Sequence, residues 1–389
     1  MSEKKPLHSD DLTGCFVGRV WRPDLDGPSI VVAREGQLID ITSPLAPTMS
    51  ELLALDDPAG YVAEADGTAL GSLDEIAGNS IAWQRTPDRP YLIAPNDLQA
   101  IKAAGVTFVT SMLERVIEEQ AGGKPERAAS VRAEITQTIG TEIGQLKPGS
   151  PEAAELKALL ISKGLWSQYL EVGIGPDAEV FTKSQVMSAV GYGADIGVHP
   201  ISSWNNPEPE VVLAVSSSGE VVGATLGNDV NLRDVEGRSA LLLGKAKDNN
   251  ASCAIGPFIR LFDDAFTIDH VRTAELTLSV DGPDGYRLEG ASSMSEISRD
   301  PLDLVSQTIG PHHDYPDGFV LFLGTLFAPV EDRDEEGQGF THKMGDIVTV
   351  EAPGLGRLVN RVRRTDECDR WTFGTRRLMQ NLSQRGLLS

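Results

Sequence analysis

Two apolar runs separated by a turn sequence constrain the fold of this chain more than any other feature. Val211–Val215 is followed by Ser216–Gly219 and then by Val221–Leu226. Short runs rich in β-branched residues on either side of Ser and Gly are typical of a β-hairpin. A hairpin with its turn at this position brings Glu208 next to Asp229, because residues before the first strand lie opposite residues after the second. The sequence therefore predicts an acidic cluster at the open end of a hairpin.

The cluster contains three carboxylates. Glu208 and Glu210 are two residues apart, so in a strand both side chains leave the same face, and Asp229 arrives beside them. Three uncompensated carboxylates repel one another strongly unless a cation lies among them. All-oxygen ligation with no Cys or His nearby favours a hard divalent ion, Mg²⁺ first and then Mn²⁺ or Ca²⁺. From the spacing alone, a solvated acidic hairpin is an equal alternative.

The N-terminal part of the chain reads as a small α+β domain over residues 1–95. Short apolar runs such as Ser29–Ala33 and Gln37–Ile41 alternate with Gly and Pro, and Met49–Leu55 has a helical pattern. Asn96 and Asp97 form a capping pair, after which the pattern predicts a helix to about Glu119.

The catalytic domain is predicted over residues 96–365, followed by a basic, partly helical tail at 366–389 with no assigned chemistry. Residues 125–165 continue helical, with a helix start at Ser150–Glu152 and a stop at Gly164. From 185 to 362 short β-rich runs dominate without regularly alternating helices. This order favours a β-rich α+β fold over a doubly wound parallel sheet.

Charge and length limit the class of protein. The 389 residues exceed what one core usually fills, so two domains are expected. The net charge of −23 argues against nucleic acid and anionic membranes as partners, since both need a basic surface. No apolar run approaches a membrane span, and Met1–Pro6 lacks a hydrophobic signal core. We therefore expect a cytoplasmic protein, and three widely separated cysteines fit reduced thiols there.

Several segments occur in an order that is more specific than any one of them alone. They are Asn206–Glu210, Thr225–Asp234, Lys247, Cys253–Pro257, Gly324–Thr325, Gly345–Val348 and Gly356–Asn360. Together they resemble the fumarylacetoacetate hydrolase family over roughly residues 100–365. Within it the chain is most similar to the 2-keto-3-deoxy-pentonate dehydratases of non-phosphorylated pentose oxidation, including an N-terminal segment of the type Gly18–Pro23. The resemblance implies the family's β-sandwich roll for the catalytic domain.

The resemblance also implies roles for residues outside the hairpin. Lys183 and Lys247 match positions where the family has a lysine near the metal, and each could neutralise a substrate carboxylate or stabilise an enolate. Thr325 matches a threonine that contacts the substrate carboxylate. Lys245 would share a face with Lys247 in a strand, but the spacing to the next motif fits Lys247 better. For each lysine the alternative is an ordinary surface side chain, and for Thr325 it is a turn hydrogen bond.

Two further residues are expected to support the site from behind. Arg233 and Asp234 follow the third carboxylate closely in sequence. We expect them to form an internal ion pair that supports Asp229.

A missing histidine distinguishes this chain within the family. Members that hydrolyse a carbon–carbon bond use a histidine before the metal motif as general base, but no histidine occurs between His8 and His199 here. The corresponding helix carries Glu114 and Glu118, which share a face at i, i+4. They form either a solvated face or cleft carboxylates that could move a proton. His199 is a second candidate base, with a surface or packing role as its alternative.

The expected activity is metal-assisted dehydration of a 2-keto-3-deoxy-pentonate to 2,5-dioxopentanoate, a hydro-lyase reaction in which Lys247 or Glu114 takes the C3 proton. A small 2-keto acid is the expected partner, and we expect a homo-oligomer, either dimer or tetramer. The same metal site also suits hydrolysis of an acylpyruvate or fumarylacetoacetate and decarboxylation of oxaloacetate, so the bond that breaks is undecided. A non-catalytic keto-acid-binding module is a further alternative.

Overall fold

In the described part of the chain, three β-sheets with flanking helices form the fold. The structure is a computed structural model that describes residues 5–388 except 9, 10, 12, 129, 133–145, 163–165, 326 and 328. The strands are β1 (Phe16–Arg22), β2 (Gly27–Arg34), β3 (Gln37–Asp40), β4 (Thr68–Ser72), β5 (Tyr91–Ile93), β6 (Ala100–Gly105), β7 (Glu179–Ser184), β8 (Asp195–Val198), β9 (Asn205–Asn206), β10 (Pro209–Val215), β11 (Val221–Asp229), β12 (Asn231–Leu232), β13 (Cys253–Leu261), β14 (Glu275–Asp281), β15 (Arg287–Ser293), β16 (Phe319–Phe322), β17 (Ile347–Ala352) and β18 (Gly356–Arg364). The helices are α1 (Met49–Leu53), α2 (Pro58–Glu64), α3 (Leu73–Ser80), α4 (Val109–Ala121), α5 (Pro151–Ser162), α6 (Gln168–Ile174), α7 (Arg233–Glu236), α8 (Leu243–Lys247), α9 (Ile268–Arg272), α10 (Pro301–Ser306) and α11 (Thr375–Gln384).

The two larger sheets face each other. One has eleven strands, ordered β4-β3-β2-β1-β13-β11-β10-β16-β6-β7 with β5 also paired to β1, and the other has five, ordered β15-β14-β17-β18-β8. The five-stranded sheet packs on β10, β11 and β13 of the larger sheet. Apolar side chains fill the interface, among them Leu226, Phe258, Leu278 and Leu358. This arrangement confirms the expected β-rich α+β fold, and its stability comes mainly from burying the two inner faces.

The hairpin on which the sequence argument depends is present. β10 pairs antiparallel with β11, with Val211 opposite Leu226 and Pro209 opposite Asn228. Every residue of β10 is buried, because β11 and β16 pair with its two edges and other layers cover its faces. A hairpin buried in this way cannot be the solvated acidic alternative.

The N-terminal strands extend the same sheet. β1 pairs antiparallel with β13, with Phe16 opposite Arg260, and β2 to β4 continue outward from it. The runs predicted near residues 29–41 are β2 and β3, and the helix predicted at 49–55 is α1. The proposed boundary near residue 95 therefore divides the chain within one continuous sheet.

The helix predicted from Asn96 to Glu119 is wrong in its first half. Ala100–Gly105 is strand β6, which pairs parallel with β16 and antiparallel with β7, and the helix begins only at Val109. Pairing on both edges outweighs the helical preference of the three alanines in this short segment. Asp97 does cap a helix, but a remote one: its carboxylate accepts hydrogen bonds from the backbone N–H groups of Met49 and Ser50 at the start of α1.

The helical stretch predicted over residues 125–165 lies partly outside the described residues, at 133–145, and residues 146–150 are not helical. α5 begins at Pro151, with the hydroxyl of Ser150 accepting from the N–H of Ala153, whereas the predicted stop at Gly164 lies outside the described residues. The tail contains α11, which packs on β2 through Asn381 and Arg385. Among the described residues, no helix is both long and apolar enough to cross a lipid bilayer.

Candidate active site

The open end of the β10–β11 hairpin carries the three predicted carboxylates. The N–H of Asp229 donates to the carbonyl of Glu208 at 2.9 Å, and the side chain of Asn228 accepts from the N–H of Glu208. These backbone contacts hold the two strands in register beyond the last paired residue. Glu208, Glu210 and Asp229 are all buried, and each offers a carboxylate oxygen within 4.8 Å of the others.

Two lysines neutralise part of this cluster. The ammonium of Lys247 contacts Glu208 and lies 3.2 Å from Oδ2 of Asp229. The ammonium of Lys183 lies 2.9 Å from Oδ1 of Asp229 and donates to the backbone carbonyl of Lys247. Lys183 is fully buried behind the carboxylates and is not among the described residues that line the cavity. It therefore holds Asp229 and Lys247 in place.

Arg115 is a third cation at the cluster, and the sequence argument did not identify it. Its guanidinium contacts Oε1 of Glu208, contacts Glu118 one turn along α4, and lies 3.3 Å from Glu236 at the end of α7. Burial by itself raises the pKa of Glu208, but the charges of Lys247 and Arg115 outweigh burial and lower that pKa to about 2. Glu208 is therefore ionised at neutral pH.

No cation from the described part of the chain contacts Glu210. Its carboxylate accepts hydrogen bonds from the N–H of Gly324 at 2.7 Å and from the hydroxyl of Thr325 at 3.4 Å. Burial and the neighbouring charges of Asp229 and Glu208 raise the pKa of Glu210 well above its usual range. A divalent cation among the three carboxylates would supply the charge that Glu210 lacks, so the residues present fit a hard metal ion bound by oxygen.

Lys247 lies in a helix rather than in a strand, so it does not share a face with Lys245. Lys247 is the buried last residue of α8, whereas Lys245 lies near the surface with its ammonium 3.3 Å from the ring of His199. Burial would lower the pKa of Lys247, but Asp229 and Glu208 raise that pKa above its ordinary value. A protonated ammonium cannot accept a proton, so Lys247 does not act as a base in this state.

A cavity opens beside the carboxylates, and two more acidic residues line it. Glu179 is the first residue of β7, and Glu236 is the last residue of α7. The carboxylate of Glu179 lies over Gly105, where a Cβ atom would come within 2.0 Å of it. Burial and the charge of Glu236 raise the pKa of Glu179 to about 7. No hydrogen bond or ion pair from a described residue reaches the carboxylate of Glu179, so it is free to exchange a proton.

Glu114 does not join this group. Its carboxylate receives two hydrogen bonds from Arg132, at 2.7 and 3.1 Å, and the next residue, Arg115, lines the cavity instead. Neighbouring residues on a helix are rotated by about 100°, which turns Glu114 away from the carboxylates.

The expected pair between Arg233 and Asp234 is also not formed. Arg233 lies 3.2 Å from Glu118 and donates to the carbonyl of Pro329, whereas Asp234 accepts from Ser202 and Ser203. The charges at the start of α7 therefore support α4 and the loop before β9 rather than each other. His199 lies outside the cavity lining and keeps its surface position.

The sequence contains one pattern that indicates cavity residues not predicted from it above, and this pattern lies in β7. Glu179 and Phe181 are two apart on the strand that also carries Lys183, and both line the cavity. A period-two reading of that strand would have placed them on one face. Arg115 and Glu236 had no comparable signal, because only the packing of α4 against α7 brings them together.

Comparisons with known proteins show what the chain is similar to. Residues 172–363 match the family model described as fumarylacetoacetate (FAA) hydrolase C-terminal. The chain is 32% identical over 194 residues to a probable 2-keto-3-deoxyxylonate dehydratase of Haloferax volcanii, covering 50% of this chain and 63% of the relative. It is 28% identical over 186 residues to 2-dehydro-3-deoxy-D-arabinonate dehydratase of Saccharolobus solfataricus, covering 48% and 59%. The matches thus span less than two thirds of these relatives.

Solved structures share the fold over most of the chain. A 2-keto-3-deoxyarabinonate dehydratase superposes with a TM-score of 0.61 at 21% identity, covering 90% of this chain and 99% of that one. A structure of 2-keto-3-deoxy-D-arabinonate dehydratase complexed with magnesium and 2,5-dioxopentanoate gives a TM-score of 0.60 at 19% identity, with the same coverage. These likenesses confirm the expected fold class.

Proposed function

We propose that this chain, whose residues 172–363 match the family model described as fumarylacetoacetate (FAA) hydrolase C-terminal, is a metal-dependent hydro-lyase that converts a 2-keto-3-deoxy-pentonate to 2,5-dioxopentanoate. The observation that carries the proposal is the buried carboxylate triad beside a cavity that also contains Glu179 and Lys247. The names of both curated relatives support the same substrate class.

Glu208, Glu210 and Asp229 would hold the metal ion, for which Mg²⁺ is the first choice. When bound, Mg²⁺ would act as a Lewis acid toward the carbonyl oxygen of a 2-keto acid. Gly324 and Thr325 orient Glu210 through its two oxygens, and Lys183 orients Asp229. Such supporting contacts fix the direction of the ligand lone pairs.

Lys247 contributes electrostatic stabilisation. Its ammonium lines the cavity and keeps its charge because Glu208 and Asp229 lie next to it. Negative charge develops on the C2 oxygen of the substrate as the proton leaves C3. A fixed cation at this position stabilises that charge without reorganising solvent.

Glu179 transfers the proton in this proposal, in place of Glu114 and Lys247. Its carboxylate takes the proton from C3, the C4–O bond breaks, and the same proton returns to the departing hydroxyl, so one water leaves. The remaining C3–C4 alkene conjugated with the ketone then moves its double bond to C4–C5 and becomes the C5 aldehyde by proton exchange. A carboxylate with a pKa near 7 is suited to both directions of transfer.

The cavity supports elimination over hydrolysis of a carbon–carbon bond. The resemblance implies that the carbon–carbon hydrolases of the family activate water with a histidine, and no histidine is among the described residues that line the cavity. Elimination needs only a base at C3 and a proton for the leaving hydroxyl.

The test is a turnover assay with Mg²⁺ or Mn²⁺ on both epimers of 2-keto-3-deoxy-pentonate, with acylpyruvates and oxaloacetate alongside. We expect 2,5-dioxopentanoate from at least one epimer, detected as the aldehyde by trapping and mass spectrometry. Cleavage of an acylpyruvate or loss of CO₂ from oxaloacetate, with no aldehyde formed, would replace the proposal by a hydrolase or a decarboxylase. No turnover of any compound would favour the keto-acid-binding module.

A further inference from the structure

Glu236 is a buried carboxylate on the cavity wall that serves neither the metal triad nor the proton transfer. It is the last residue of α7, its residue exposure is 4%, and it lines the cavity together with the triad. Its Oε2 atom accepts no hydrogen bond from the described residues, although a nitrogen of Arg115 lies 3.3 Å away. Arg115 thus balances the charge of Glu236, whereas the hydrogen-bonding capacity of Oε2 is unused.

An unused buried acceptor is costly. A polar atom removed from water without a partner costs free energy, and a charged one costs more, so such atoms are normally paired with protein, water or ligand. The aliphatic chain of an acylpyruvate offers no donor to it. A hydroxyl on the ligand does, and a hydroxyl bound to a carboxylate makes a stronger bond than one bound to a neutral group.

Arg115 explains how a carboxylate can stand there without excluding an anionic ligand. Arg115 lies between Glu236, Glu118 and Glu208 and carries the compensating charge. It also holds Glu236 at a fixed distance from the triad. A 2-keto acid with its keto end at the triad would extend its far end into the part of the cavity that Glu179 and Glu236 line.

We propose that Glu236 accepts a hydrogen bond from the terminal hydroxyl of the ligand and so selects hydroxylated 2-keto acids over apolar ones. This inference rests on the proposed function only in assuming that the keto-acid end binds at the triad. It assigns Glu236 to recognition of the ligand tail and gives it no part in the breaking of a bond.

The test uses two ligands that cannot be dehydrated, because neither has a C4 hydroxyl. They are 5-hydroxy-2-oxopentanoate and 2-oxopentanoate, and their affinities for the full chain are measured by calorimetry with saturating Mg²⁺. The wild-type protein should bind the hydroxylated ligand at least about tenfold more tightly, the value of a hydrogen bond to a charged group. Glu236→Gln should reduce this ratio, and Glu236→Met, which has no acceptor of similar strength, should bring it close to one.

Glu118→Gln is the matched control, because Glu118 also contacts Arg115 but is not among the described residues that line the cavity. It should retain the wild-type ratio, which separates recognition by Glu236 from an effect through Arg115. Equal binding of the two ligands by the wild-type protein, no binding of either, an unchanged ratio in both Glu236 variants, or loss of the ratio in Glu118→Gln would each overturn the inference. Neither ligand is turned over in this test. A protein that prefers the hydroxylated ligand but forms no 2,5-dioxopentanoate would therefore refute the dehydratase proposal and leave the role of Glu236 standing.

Discussion

Glu210 differs from the other two carboxylates in having only neutral hydrogen-bond donors as described partners. Glu210→Gln should weaken Mg²⁺ binding by more than the roughly 10–100-fold typical of substitutions outside the ligand shell, because an amide cannot offset the charge of the ion. Isothermal titration of stripped protein measures this. Glu220→Gln, at an exposed position of the same hairpin, is the control and should bind Mg²⁺ as the wild type does.

The thermal stability of Glu210→Gln distinguishes lost Mg²⁺ binding from misfolding. Burial and the nearby carboxylates raise the pKa of Glu210, so ionising it at neutral pH opposes folding of the metal-free protein. Glu210→Gln in EDTA should therefore unfold at the wild-type temperature or above it. Wild-type Mg²⁺ affinity in Glu210→Gln would show that this carboxylate is not a ligand.

Lys247 and Lys245 lie two residues apart on one short helix, which makes them a matched pair. Lys247→Met should lower kcat by roughly two to four orders of magnitude, the range for a lost acid–base or electrostatic group. Lys245→Met removes an equal charge at the surface and should leave kcat near the wild-type value. Rates measured on folded, Mg²⁺-saturated protein decide the matter, and equal rates for the two variants would return Lys247 to an ordinary structural role.

Glu179 and Glu114 are the second pair of residues whose variants can be compared. Glu179→Gln should lower kcat by roughly two to four orders of magnitude if Glu179 is the base, whereas Glu114→Gln should change it little because Arg132 holds that carboxylate outside the cavity. This differs from the expectation from sequence, in which either Lys247 or Glu114 was the base. A large loss of kcat in Glu114→Gln, with no loss in Glu179→Gln, would instead identify Glu114 as the base.

The pH dependence follows from the raised pKa of Glu179. A base must be deprotonated, so kcat/KM should rise with pH up to about 7 and then level off, and Glu179→Gln should lack this limb. The effect on stability has the opposite direction. The native state holds the proton more tightly than the unfolded chain does, so this group contributes less to the free energy of unfolding as pH rises from about 4.5 to about 7. A rate that does not change between pH 5 and 8 would exclude Glu179 as the base.

At the scale of elements, Asp97 links two segments that are distant in sequence. Its carboxylate caps α1 and lies 3.6 Å from the buried guanidinium of Arg19. Loss of the cap in Asp97→Ala should lower the free energy of unfolding by about 0.5–2 kcal/mol. The total loss should be larger, because Arg19 then remains buried without its carboxylate partner. Urea unfolding measures the loss.

Asp57 provides the comparison for Asp97. It caps α2 through the N–H of Gly60 from an exposed position. Asp57→Ala should therefore lose only the contribution of the cap. Equal losses for the two variants would mean that the contact between Asp97 and Arg19 adds nothing.

At the scale of the whole molecule, one sheet joins the segments on either side of residue 95. β1 covers the edge of β13, and β13 pairs with the strand that carries Asp229. Scanning calorimetry of the full chain should show a single transition that Mg²⁺ moves to higher temperature, because a ligand bound only to the native state stabilises all that unfolds with it. Two separate transitions, of which Mg²⁺ shifts one, would show that the N-terminal strands unfold independently.

Local pattern was sufficient for the hairpin and its carboxylates. Two apolar runs rich in β-branched residues and a Ser-Gly turn determined β10 and β11, and spacing alone brought Glu208, Glu210 and Asp229 together. These are short-range consequences of strand geometry, which needs no knowledge of the rest of the chain. The same holds for β2, β3, α1 and the start of α5.

Only the tertiary structure decided which other charges reach the cavity. Ala100–Gly105 is a strand because β16 and β7 pair with its edges, and that placement turns Arg115 inward and Glu114 outward on the helix that follows. Glu179 and Glu236 come from segments more than fifty residues apart, and no local pattern records that they meet. A helix or strand is determined by neighbours in sequence, whereas the burial and charge that set the chemistry of a carboxylate come from neighbours in space.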